Sequence, residues 1–243
     1  MNDSDMTGRV VIVTGGAGAV GSTVSKRWLD AGARVLIVDH RQSTIDEWKA
    51  RYLQDSYSGR VATFATDVSN EAGAKGMVEM AENAFGQPPD TLIHLVGGFG
   101  MAKVEDETAP QTWERMMAIN LHSSFHCYRA ILPSMRSRGG GWIVGLSSRV
   151  ADKPGAGISA YGASKAGLVA LTSSLSAEVR RDGIHVNLIV ASTIDTEANR
   201  RDMGEDKAKD WVTPEDIADA TMYLCSGHAR SVYGATLEVF ANA

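Results

Sequence analysis

The run Val10-Val11-Ile12-Val13-Thr14-Gly15-Gly16-Ala17-Gly18-Ala19-Val20-Gly21 decides how the rest of the chain is read. Four consecutive apolar β-branched residues describe a strand covered on both faces, as in a parallel sheet. The glycines follow at once, and a helical stretch then runs through Trp28 and Leu29 to Ala31-Gly32. Arg34-Val35-Leu36-Ile37-Val38-Asp39 is a second buried strand, closed by an acid. Strand, glycine turn, helix and strand make a βαβ unit of ~30 residues, the context in which such a turn holds a dinucleotide rather than merely bending the chain. The backbone at Gly15, Ala17, Gly18, Ala19, Val20 and Gly21 is expected to approach a pyrophosphate, whose charge the amides at the helix N-terminus attract. Asp39 stands where a carboxylate accepts hydrogen bonds from an adenosine ribose and repels a 2′-phosphate, which favours NAD(H) over NADP(H). Arg41, two residues on, works against that preference.

Outward from this unit the same alternation continues. A helix is expected over about residues 44–54, a strand over Arg60–Thr66 closed by Asp67-Val68, and a helix over Glu71–Phe85. Pro88-Pro89 ends that segment, and Thr91–Val96 is a fourth strand leading into Gly97-Gly98-Phe99-Gly100. Gln111–Met135 reads as one long helix with Asn120 inside it, a poor interior residue because its side chain competes for backbone hydrogen bonds. Trp142–Leu146 forms a fifth strand, Ser147-Ser148 stand at its carboxyl end, and a loop leads to the helix carrying Tyr161 and Lys165. His185–Val190 and Val232–Phe240 supply strands six and seven, around a last helix with Thr213 as N-cap and Pro214 at its first position. The pattern predicts an α/β fold: a doubly wound, seven-stranded parallel sheet with helices on both faces, in a single domain without repeat or linker. Ligands on such sheets sit at the carboxyl ends of the strands, so Gly15, Asp39, Asp67 and Gly97 are expected along one edge.

Composition narrows the classes. Of 243 residues 44% are hydrophobic and 22% charged, with a net charge of −5, which argues against the basic footprint of a nucleic-acid binder. No apolar run approaches the ~20 residues that span a bilayer. Met1–Thr7 lacks a basic stretch followed by an apolar one, so no secretory signal is expected. Cys127 and Cys225 form no CxxC, and with the missing signal they suggest reduced cysteines in a cytoplasmic protein. The histidines show no zinc-type spacing, and no metal is expected.

Tyr161 and Lys165 stand one turn apart on one helix face. An ammonium beside a phenol favours the phenolate; drawing a phenol with a pKa of ~10 down to neutrality takes ~4 kcal/mol. By itself the spacing is that of an ordinary surface contact, and its meaning depends on the residues upstream.

Together these residues resemble the short-chain dehydrogenase/reductase family, in its short single-domain branch, over nearly the whole chain. The family's T-G-x-x-x-G-x-G matches Thr14 to Gly21 with Ala19 in place of the middle glycine, and Y-x-x-x-K matches Tyr161 and Lys165. The family's serine lies thirteen positions before the tyrosine, which selects Ser148, and Asn120 falls at the fourth catalytic position. The resemblance implies a Rossmann fold and a small alcohol or carbonyl substrate, with Tyr161 as general acid/base. Lys165 would lower its pKa and bond the nicotinamide ribose, Ser148 would hold the substrate oxygen, and Asn120 would hold a water relaying protons to Lys165. It also implies that Asp67 and Val68 meet adenine, that Gly97 permits close cofactor approach, and that Ile194 and Thr196 meet the nicotinamide carboxamide. Tyr161 and Lys165 therefore belong to both the catalytic and the cofactor-binding sets, and a homo-oligomer, tetramer or dimer, is implied.

Three departures stand against that pattern. His94-Leu95-Val96-Gly97 replaces N-N-A-G, whose asparagine helps tie the central strands; Ala191-Ser192 replaces P-G; and the tail Val239-Phe240-Ala241-Asn242-Ala243 lacks the closing glycine pair. Residues 194–212 are expected to form a short substrate lid, charged over Glu197–Lys209, and His94, His122 and His126 are candidates for extra acids or for ordinary packing. Two other readings share these residues: a 3-oxoacyl-thioester (acyl carrier protein) reductase using NADPH, and a non-catalytic dinucleotide-binding regulator.

Overall fold

The computed structural model describes residues 5–242; residues 1–4, on which the reading of the amino terminus partly rests, and Ala243 at the end of the tail lie outside them. Each buried apolar run becomes a strand: β1 (Val10–Thr14), β2 (Arg34–Asp39), β3 (Val61–Ala65), β4 (Thr91–His94), β5 (Gly141–Ser148), β6 (Ile184–Ala191) and β7 (Thr236–Val239). They form one parallel seven-stranded sheet in the order β3-β2-β1-β4-β5-β6-β7. The order reverses between β1 and β4, so the crevice at their carboxyl ends is the switch point where open α/β sheets take ligands.

Alternate side chains along the central strands go to opposite faces. Val11, Val13, Val35 and Ile37 pack with Trp28 of α1 (Ala19–Asp30), Trp48 of α2 (Gln42–Tyr52) and Ile217 of α8 (Pro214–Leu224). Val10, Ile12, Leu36 and Val38 pack with Met77 of α3 (Glu71–Phe85), Tyr128 of α5 (Ser123–Ser137) and Leu168 of α6 (Ser159–Val179). The result is three layers with a core on each side of the sheet.

The helix expected over 111–135 differs in detail. It starts as α4 (Ala109–Met116), with Pro110 in its first turn, passes through a π turn over Met117–His122, and continues as α5. Pairing also ends earlier than the apolar runs do: β4 stops at His94, and β7 covers only Thr236–Val239, because the chain before it turns through Gly234 at φ 70°. The charged segment after β6 is folded. Thr196 caps α7 (Glu197–Met203) by accepting from Asn199 N, a 3-10 turn spans Glu205–Asp210, and Arg200 grips Asp195 in a two-point ion pair at 2.5 and 2.6 Å.

Candidate active site

The turn after β1 is shaped by the room a side chain would need. A Cβ on Gly21 would lie 1.9 Å from Gly15 O and one on Gly16 2.6 Å from Val13 O, while Gly15 has φ +67° and a Cβ there would lie 3.3 Å from the Leu95–Val96 backbone. No L side chain fits these positions without moving the backbone. Ala19 falls on the first residue of α1, where a methyl group favours the helix. No side chain caps α1, so its first amides remain available to an anion. A cleft of about 600 Å³ opens there.

Gly15, Gly18, Ala19, Val20 and Gly21 line this cleft, and so do Asp39, Asp67, Val68 and Gly97, together with His40, Arg41 and Arg115. Ala17 does not: it turns into the core, 8% exposed, and its carbonyl accepts from Ser22 Oγ. Ile194 and Thr196 also stand off the cleft, at the base of α7, where Ile194 pairs with Val212. Asp39 is largely buried at the end of β2. Asp67 accepts from Ser69 N at 2.8 Å, which holds its carboxyl below the usual range.

Gly97 joins this cleft to the second cluster. A Cβ there would meet Asn120 Oδ1 at 2.9 Å and Lys165 Nζ at 3.2 Å. Ser148 ends β5 and hydrogen-bonds Tyr161 in the first turn of α6, and Lys165 sits one turn further along. Lys165 is buried, donates from Nζ to Leu146 O at 2.9 Å, and lies 6.0 Å from the centre of the Tyr161 ring. Burial pulls the ammonium pKa down to about 8. Burial also raises the Tyr161 phenol, with the Ser148 hydrogen bond opposing the rise. The downward pull expected from Lys165 is thus not what governs Tyr161 here; desolvation is.

Asn120 lies in the π turn, fully buried. Its Oδ1 accepts from Gly98 N at 2.9 Å, and its Nδ2 donates to Gly98 O at 3.1 Å and to Ser164 Oγ at 3.0 Å. The amide thus imitates a neighbouring strand and fixes the backbone just after Gly97. This side chain positions the loop, and the relay water implied by the resemblance is left the main-chain carbonyl, which already accepts from Ser124 Oγ at 2.9 Å.

His94 does the work of the missing asparagine. It is 1% exposed, with Nδ1 2.7 Å from Thr14 Oγ1 on β1 and Nε2 3.2 Å from Ser123 Oγ. Ser123 gives its proton to Ile119 O at 2.6 Å, so towards the ring it accepts. Nε2 therefore carries the hydrogen, and Nδ1 accepts from the Thr14 hydroxyl. Burial, helped by the Lys165 charge, lowers this imidazole to about 3. Among the three histidine candidates it is a packing residue.

Two features were not read from the sequence. The Phe99 ring meets Tyr161 edge-on, 5.1 Å between centres, and its carbonyl is held by Arg115 Nη2 at 3.0 Å. Phe99 and Met101 are more than half exposed, and Ala102 N binds Gly157 O, so this loop is tied beside Tyr161 with an apolar surface. The available signal was Phe99 between glycines after a strand. The altered turn after β6 is also bonded: Ser192 donates from Oγ to Phe240 O at 2.8 Å and from its amide to Val239 O, joining β6 to the tail. Among the described residues no group of three or more His, Cys, Asp or Glu side chains is placed to hold a metal ion, and no helix is long and apolar enough to cross a membrane.

Comparison with known proteins points one way. The family model described as short chain dehydrogenase matches residues 9–207. The chain is 30% identical to the 2-(R)-hydroxypropyl-CoM dehydrogenase of Xanthobacter autotrophicus, over 94% of this chain and 96% of that one. It is also 30% identical to the (3R)-3-hydroxyacyl-CoA dehydrogenase of Rattus norvegicus, covering 95% and 94%. Among solved structures, levodione reductase superposes with a TM-score of 0.86 at 26% identity, covering 96% of each chain.

Proposed function

The chain belongs to the short-chain dehydrogenase family of oxidoreductases acting on hydroxyl and keto substrates, and from that premise we infer that it interconverts a secondary alcohol and its ketone with NAD(H). The observation that carries this reading is the Ser148–Tyr161 hydrogen bond with Lys165 one turn behind it and Gly97 opening towards the cleft. A nicotinamide dinucleotide held in the cleft would supply the acceptor or donor of the hydride at the substrate carbon. Gly15 and the first amides of α1 would hold its phosphates, and Asp39 its adenosine ribose. In oxidation the Tyr161 oxygen takes the alcohol proton as the carbonyl forms; in reduction it returns one. Ser148 donates to the substrate oxygen where negative charge builds. Lys165 sets a positive charge behind the phenol, and Asn120 keeps the Gly97–Gly98 backbone out of the way of both.

Asp39, buried at the cleft wall, supports NAD(H). Arg41 in the same wall favours the second reading, a 3-oxoacyl-thioester reductase using NADPH; the Rattus relative, named for 3-hydroxyacyl-CoA, supports the thioester substrate of that reading but not its cofactor. A regulator without turnover would not need the Asn120, Ser148, Tyr161 and Lys165 set. A homodimer or homotetramer built on the long helices is supported by Trp113 and Phe125, both exposed there. The test is a panel of secondary alcohols, ketones and 3-oxoacyl thioesters with each cofactor. Turnover with NAD(H) that Tyr161→Phe lowers by about 10²–10⁴-fold is expected. An unchanged rate in that variant overturns the mechanism, and tighter NADPH than NADH binding overturns the cofactor choice.

A further inference from the structure

The loop between β4 and α4 contains Gly97-Gly98-Phe99-Gly100-Met101-Ala102, six residues without a polar side chain. Its backbone is held at three places. Asn120 bonds both polar groups of Gly98, Arg115 Nη2 donates to Phe99 O at 3.0 Å, and Ala102 N donates to Gly157 O at 2.9 Å. The glycines on either side of Phe99 lie close to the helix: a Cβ on Gly98 would come 3.3 Å from the Ile119 side chain, and one on Gly100 2.8 Å from Arg115 Nη2. Phe99 is therefore the bulky group that this turn sends outward, and it stands edge-on to Tyr161 with 5.1 Å between ring centres. Met101 extends the same surface, its methyl group 3.7 Å from where a Cβ on Gly157 would lie. Phe99 is 56% exposed and Met101 63%. A backbone fixed in this way holds an open phenyl ring against the proton-transferring residue, and water is a poor partner for that surface.

We propose that Phe99 sets the substrate class of this site: its exposed ring takes an apolar ring on the reacting carbon, so the chain acts on secondary alcohols and ketones whose carbinol or carbonyl carbon bears such a ring. The proposal deepens the alcohol–ketone reading above and rests on it. Tyr161 and Ser148 hold the substrate oxygen within hydrogen-bond reach, which leaves the reacting carbon one bond away. The groups on that carbon meet whatever flanks the Tyr161 ring, and on one flank that is Phe99. A flat or cyclic apolar group covers the phenyl ring without losing internal freedom, and two rings can meet offset or edge-on. A linear 3-oxoacyl chain must be ordered against the same surface and gives back part of the gain as lost conformational freedom. The loop also offers no donor side chain to a polar substituent on this side.

The experiment measures kcat and KM of the full chain for acetophenone, cyclohexyl methyl ketone, 2-butanone and 3-oxobutanoyl-CoA, with NADH and with NADPH, in wild type, Phe99→Ala and Phe99→Tyr. Wild type is expected to favour the two ring ketones over both linear substrates by at least about tenfold in kcat/KM. In Phe99→Ala the ratio of ring ketone to 2-butanone is expected to fall about 10–100-fold, mainly through a higher KM for the ring ketones. Phe99→Tyr keeps the ring and is expected to hold that ratio within about threefold of wild type. A wild type that favours the thioester or 2-butanone overturns the proposal. So does a ratio that Phe99→Ala leaves unchanged, or one that falls equally in both variants, which would give Phe99 a role in loop structure alone. Turnover of none of the four with either nucleotide overturns the alcohol–ketone reading itself, and this proposal with it.

Discussion

Thr14 and His94 face each other across the two central strands at their carboxyl ends, hydroxyl to ring nitrogen at 2.7 Å, in a position closed to water. This contact fixes the switch-point crevice, because β1 leads into the glycine turn and β4 into Gly97. His94→Ala would leave Thr14 and Ser123 without their partner in the core and is expected to cost about 2–4 kcal/mol of unfolding free energy, read as a lower urea midpoint. His94→Asn, which restores one donor and one acceptor, is expected to lose less than half as much. Equal losses in the two variants would show that volume rather than hydrogen bonding matters at this position.

The same ring makes the fold sensitive to acid. His94 takes up a proton at about 6.5 when unfolded but only at about 3 when folded. Between these values the unfolded state binds more protons, so stability is complete above pH 6.5 and declines as pH falls towards 3. The slope is up to about 1.4 kcal/mol per pH unit from this group alone. His94→Asn is expected to flatten that slope, measured by denaturant unfolding at pH 7, 5.5 and 4.

Lys165 separates stability from chemistry. Its folded pKa of about 8 lies below its unfolded value near 10.5, so the buried ammonium opposes folding below pH 8. Unfolding free energy should therefore rise between pH 8 and 10.5 as the folded form sheds a proton that the unfolded form keeps. Lys165→Met is expected to unfold at higher temperature by an amount corresponding to about 1–3 kcal/mol, to lose the alkaline rise, and to be inactive. A destabilised Lys165→Met would mean that the Leu146 contact outweighs the cost of burying the charge.

Gly97→Ala places a methyl group 2.9 Å from an Asn120 oxygen that is already held by Gly98. The chain has to shift a few tenths of an ångström at the junction of the two clusters. Unfolding free energy is expected to fall by about 1–2 kcal/mol while turnover falls at least tenfold, since small misplacements at a reacting centre are costly in rate. Turnover at the wild-type level would show that this junction tolerates movement.

Arg9 supplies the matching control. Its guanidinium lies 3.5 Å from the centre of the Trp142 ring and donates to Cys225 O, and beyond Trp142 the rings of His185 and Tyr233 continue the stack. All of this lies at the amino ends of β1, β5 and β6, away from the cleft. Arg9→Ala is expected to lower stability by about 2 kcal/mol, with kcat and KM unchanged at temperatures where the chain stays folded.

Much of this architecture is legible in the chain, because burial on both faces writes β-branched runs directly into the sequence, and the glycine turn and Tyr161–Lys165 spacing are local. What escaped was non-local. Nothing around His94 says that Thr14, eighty positions earlier, will complete its hydrogen bonding, and Phe99 acquires its place from a ring on a distant helix. Asn120 was visible as an oddity inside a helix, but its pairing with Gly98 depends on a backbone irregularity that composition does not encode. The segment after β6 reads only as short and charged, because the Asp195–Arg200 pair and the Thr196 cap are assembled only once α7 has formed.

The π turn over Met117–His122 carries one residue more than an α-helical turn would need, and widened turns of this kind are frequent at functional sites. Its effect is a phase difference. The α5 side chains that enter the core, Cys127, Tyr128 and Ile131, are rotated by about 100° relative to where an unbroken helix from α4 would carry them. Asn120 sits at the step between the two phases, so one continuous rod can turn one side to the crevice and another to the core. Length in this segment is consequently information: removing a single residue there would return both halves to one phase, and either the crevice or the core would lose its partners.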